Sequence, residues 1–96
     1  MKKLLTKFLF HGSNGVTYVF ELKAFKWDSN CYRFRVWCTA TPSSFGNHFT
    51  VSATLFGTFQ ECAISFVNNL KSIEYLSELS ASFDKLIRKF EGGLSW

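Results

Sequence analysis

At 96 residues, the chain has room for one domain, 1–96, and one modest core. Charged residues at 19% and apolar ones at 47% place it among globular rather than disordered chains, and twelve phenylalanines add large buriable area. The net charge of +4 is uneven: through Cys38 seven basic residues stand against two acidic ones, and beyond it four stand against five. A basic half of this kind suits an acidic partner, whether nucleic acid, an acidic protein surface or a membrane headgroup, or else serves as a solubilising face.

The opening MKKLL resembles the start of a secretory signal, but Lys7 interrupts the apolar stretch and no small-residue cleavage site follows Phe8 to Phe10. No signal peptide is therefore expected, and no apolar run approaches the roughly 20 residues that a membrane-crossing helix needs. Leu4 to Phe10 reads as a first strand, with Leu4, Phe8 and Phe10 on one face and Leu5, Lys7 and Leu9 on the other. HGSNG follows as a Gly/Asn-rich turn.

Gly15 to Trp27 is a long extended stretch in which Val16, Tyr18, Phe20, Leu22 and Ala24 alternate with Thr17, Val19, Glu21, Lys23 and Phe25. Asp28-Ser29-Asn30 is turn chemistry of hairpin length, so the next strand is expected to return antiparallel. That strand, CYRFRVWCTA from Cys31 to Ala40, puts Tyr32, Phe34, Val36, Cys38 and Ala40 on one side and Arg33, Arg35 and Trp37 on the other. Thr41 to Asn47 holds the only proline and reads as a surface loop carrying Phe45. His48 to Phe56 alternates again, with Phe49, Val51, Ala53 and Leu55 opposite Thr50, Ser52 and Thr54.

Thr58-Phe59-Gln60-Glu61 is a capping-box sequence, so a helix is expected to begin there and to run to about Lys71. Its apolar stripe is Phe59, Ala63, Phe66 and Leu70, with Val67 and Ile73 beside it. Tyr75 to Leu79 reads as ambiguous, with a short helical turn as one solution. From Ser82, the spacing of Phe83, Leu86, Ile87 and Phe90 predicts a second helix that Gly92-Gly93 stops, with Leu94 and Trp96 free to fold back on the core. The expected fold class is α+β: an antiparallel sheet of about four strands in β-β-β-β-α-α order, with one or two C-terminal helices on one face.

Catalytic and metal-binding patterns are lacking in the sequence. His11 and His48 are 37 residues apart, and neither has Cys or carboxylate at metal-ligand spacing. No G-x-S-x-G elbow occurs, and HGSNG lacks the Lys-Ser/Thr of a phosphate loop. The three cysteines are an odd number, and Cys31 and Cys38 fall on opposite faces of one strand, where they cannot bridge. Free thiols in a reducing cytoplasm are the simplest expectation. A non-enzymatic chain without cofactor or metal is the reading that follows.

What remains is the sheet side opposite the helices, which is expected to carry Lys7, Lys23, Arg33, Arg35, Phe25, Trp27 and Trp37. Cations interleaved with rings form platforms for single-stranded nucleic acid, and Trp and Arg also dominate protein-interface hot spots. A third account covers these rings with the C-terminal segment or with a second copy in a homodimer. RFRVWCTA lacks the glycine-aromatic pattern of sheet-based RNA readers, and +4 is mild for a phosphate binder. The expected role is therefore protein binding, of the stoichiometric-inhibitor or immunity type. The candidate contacts are Lys23, Trp27, Arg33, Arg35, Trp37 and Phe45, with single-stranded nucleic-acid binding as the alternative.

Overall fold

A computed structural model describes residues 2–13, 15–41 and 48–93. Period-two alternation of large apolar and polar side chains makes four strands: β1 (Lys2–His11), β2 (Thr17–Asp28), β3 (Cys31–Thr41) and β4 (His48–Phe56). They form one antiparallel meander in the order β1-β2-β3-β4, followed by helix α1 (Phe59–Lys71), a 3-10 segment (Glu74–Leu79) and helix α2 (Ser80–Glu91). This is the α+β fold that the pattern predicts. The Pro42 loop with Phe45, and the terminal Leu94 and Trp96, lie outside the described residues.

The inward rows of β2 and β3 are Tyr18, Phe20, Leu22 and Ala24, and Tyr32, Phe34, Val36, Cys38 and Ala40, all buried. Their partners come from the helices at the expected spacing: Phe59, Ala63, Phe66, Val67 and Leu70 of α1, and Phe83, Leu86 and Phe90 of α2. Phe34 stacks on Phe66 with centroids 5.4 Å apart, which seats α1 over β3, while Phe20 meets Phe83 at 5.3 Å, which seats α2 over β2. Every buried residue among those described is apolar.

Two ties fix the helices as an antiparallel pair. Gln60 Nε2 donates to the Phe90 carbonyl at 2.8 Å, so the first turn of α1 satisfies the C-terminus of α2. At the other end, Lys71 Nζ reaches Asp84 Oδ1 at 2.6 Å. The capping box closes as the sequence predicts, with Glu61 N–H donating to Thr58 Oγ1 at 3.2 Å and Thr58 N–H donating to Glu61 Oε1 at 3.2 Å. Gly57, at φ +135, makes the corner before it, and its N–H donates to the Asn30 carbonyl at 2.9 Å.

One expectation about β1 is corrected. A bulge between Leu4 and Thr6 shifts the register, so that Leu4 pairs with Lys23 and Thr6 with Leu22. Leu4 is thereby turned to the outer face, 50% exposed, instead of joining Phe8 and Phe10 over the core, and Leu5 packs there in its place. A strict alternation count cannot register an inserted residue. A second shift between Lys26 and Asp28 leaves Trp27 as the extra residue at the end of β2.

Candidate functional site

The two helices occupy one face of the sheet, and no described element packs on the other. β2 and β3 are the inner strands, and their register sets out that face as cross-strand rows. Glu21 stands opposite Trp37, with Lys7 on the far side of Glu21 and Thr50 beyond Trp37. In the next row, Leu4, Lys23, Arg35 and Ser52 lie side by side, and in the one after it Phe25, Arg33 and Thr54 do. The structure therefore brings Lys23, Arg33, Arg35 and Trp37 together on neighbouring positions of β2 and β3.

The remaining predicted contacts sit differently. Trp27 is 65% exposed, but as the bulged residue at the strand end it marks the rim of the face rather than its centre. Phe45 cannot be placed, since its loop is outside the described residues. Alternation alone finds most of this surface, but it misses Leu4, which the bulge adds. Leu9 and Phe56, 58% and 80% exposed, are further apolar members, legible as the outward-parity ends of β1 and β4.

Electrostatically the face is one-sided. Glu21 is the one carboxylate in its central rows among the described residues, with Asp28 opposite Cys31 at the rim, and Lys7 already engages Glu21 at 3.4 Å. Lys23, Arg33 and Arg35 have no carboxylate within ion-pair distance among the described residues. Lys23 and Arg35 stand directly opposite each other, an arrangement that costs stability in an isolated sheet. Phe25 and Trp37 stand in the rows on either side, and a surface that covered them would exclude water and strengthen any ion pair formed there.

The groups that would carry chemistry lie apart from one another. His11 Nδ1 is 3.1 Å from Thr17 Oγ1 at the β1–β2 turn. Cys38 is buried, and burial pushes its thiol up to about 11. Burial first, and then the Glu61 carboxylate, raise the Cys62 thiol as well. Among the described residues, no group of three His, Cys, Asp or Glu side chains converges to hold a metal. No described helix is long and apolar enough to cross a membrane. Comparison with protein-family models, with curated proteins and with solved structures found no match to this chain.

Proposed function

We propose that the chain is a non-enzymatic protein-binding module, of the stoichiometric-inhibitor or immunity type, which occludes a partner by seating its basic-aromatic sheet face on an acidic protein surface. The observation that carries this reading is the juxtaposition of Lys23 and Arg35, with Arg33 beside them and no carboxylate in ion-pair distance among the described residues. A partner's carboxylates would relieve the repulsion, and the arginines would take them bidentately. Trp37 and Trp27 would fill apolar pockets at the centre and the rim. Face-to-face pairing with a second copy would set these cations against one another, so the charge favours a foreign acidic partner over a homodimer. Buried thiols and an odd cysteine count support a reducing cytoplasm as the setting.

The test is affinity capture from the source cell's lysate, comparing the native chain with an Arg33→Ala/Arg35→Ala variant. The native chain should retain one acidic protein at stoichiometric yield, and the variant should lose it without a large loss of thermal stability. If the variant unfolds, those arginines are structural and the assignment is wrong.

Single-stranded nucleic acid remains the second reading, because Arg35 and Trp37 share one face at strand spacing, as backbone and base contacts require. Anisotropy titration with labelled single-stranded RNA and DNA at two salt concentrations separates the two. Affinity that falls steeply with salt supports nucleic acid, and no binding at micromolar protein removes it.

A further inference from the structure

The free edge of β1 forms a second surface, away from the sheet face. Among the described residues β1 pairs only with β2, so alternate N–H and C=O groups along its outer side have no described strand to bond. Beside that edge lies a cleft of about 330 Å³, lined by Thr6, Lys7, Phe8, Leu9 and Phe10 of β1 and by Ser82, Lys85, Leu86 and Lys89 of α2. Successive strand residues point to opposite faces, so a cavity that touches five in a row runs along the strand's edge and not over one face. The four α2 residues stand at i, i+3, i+4 and i+7, which is a single stripe of the helix. The cleft is thus the gap left where α2 overhangs an unpaired strand.

We propose that this cleft takes an extended acidic peptide, which adds to β1 as a fifth strand. Five β1 residues offer about 17 Å of edge, enough for a short strand. The charged groups lining the cleft are all lysines. Lys7 is held by Glu21 at 3.4 Å, which leaves Lys85 and Lys89, with no carboxylate in ion-pair distance among the described residues, to receive the peptide's acids. Phe8, Phe10 and Leu86 supply the apolar wall, so the best occupant alternates carboxylates with aliphatic side chains. A second copy of this chain fits poorly, because edge-to-edge pairing would bring the lysines of two β1 strands together. The site shares only Lys7 and Leu9 with the sheet face and stands whether or not that face binds a protein.

The experiment uses a fluorescein-labelled peptide of four Val-Glu repeats, titrated by anisotropy against the full chain at neutral pH. Three comparisons accompany it: a Val-Lys peptide, a Val-Glu peptide with its backbone nitrogens methylated, and a Lys85→Glu/Lys89→Glu protein whose folding is checked by circular dichroism. The Val-Glu peptide should bind saturably and slow hydrogen exchange at Thr6 to Phe10. Backbone methylation and the double substitution should each weaken it at least tenfold, and the substituted protein should come to prefer Val-Lys. Equal binding of the methylated peptide would show charge attraction without strand addition and overturn the proposal. So would no saturable binding of Val-Glu, or protection confined to residues outside β1.

Discussion

Lys23 and Arg35 are register partners across the two inner strands, two cations facing each other with Leu4 and Ser52 as the next residues in their row. Like charges directly opposite in a sheet cost stability, whereas opposite charges contribute roughly 0.2–1 kcal/mol. Arg35→Glu should therefore raise the stability of the isolated chain by about that amount in urea unfolding, while abolishing capture of the acidic partner. A variant that gains stability and loses binding identifies a position kept unfavourable for the sake of its contact. If Arg35→Glu destabilises the chain, the pair is not under electrostatic tension.

The capping box makes a pH prediction. The Thr58 hydroxyl, 2.9 Å from Glu61 Oε1, and then the Thr58 N–H hold the Glu61 carboxyl below its ordinary 4.5. As pH falls, the unfolded chain takes up this proton before the native one does. Glu61 thus favours the fold above pH 4.5, and that contribution is lost as pH drops through the lower native value. Glu61→Gln should flatten the acid limb of stability against pH. At neutral pH, Thr58→Ala should cost about 0.5–2 kcal/mol by chemical unfolding, as loss of a helix N-cap does elsewhere.

Phe20 is fully buried between Phe8, at 4.7 Å, and Phe83, at 5.3 Å, and so joins β1, β2 and α2. Phe20→Ala should cost about 3–5 kcal/mol, enough to threaten folding of a domain this small. Phe56, 80% exposed on the outer parity of β4, is the matched control, and Phe56→Ala should stay within about 0.5 kcal/mol. Thermal unfolding of both variants checks the contrast. Equal losses would mean that Phe56 is covered.

The strands, both helices and the capping box are legible in the sequence because each is fixed by local periodicity or by a short chemical motif. Arg33, Arg35 and Trp37 face away from the core for the same reason: parity on one strand needs no tertiary information. Leu4 and Trp27 are different, since a bulge at each adds one residue and shifts the register in a way no alternation count reveals. The opposition of Lys23 and Arg35 requires the hairpin register, which the two-residue turn Ser29-Asn30 fixes only once the bulge at Trp27 is known. The cleft beside β1 is not legible at all, because it depends on where α2 lies over the sheet.

The cysteines should separate by accessibility. Cys38 and Cys62 are buried with raised pKa values, so few thiolates form at either site, while Cys31 is partly exposed at the start of β3. A thiol-specific reagent at mildly alkaline pH should label one site quickly in the native protein, and Cys31→Ser should abolish that phase. Cys38 and Cys62 should react at the rate of unfolding. Cys38 also carries an alkaline linkage. Its native thiol titrates at about 11 against an ordinary 9.0, so the unfolded chain loses this proton first, and the contribution is complete below pH 9.0 and drains away as pH climbs toward 11. Cys38→Ala should make stability fall less steeply across that window than it does in the native chain. Fast native labelling at Cys38, or an unchanged alkaline slope in the variant, would place that thiol in contact with solvent.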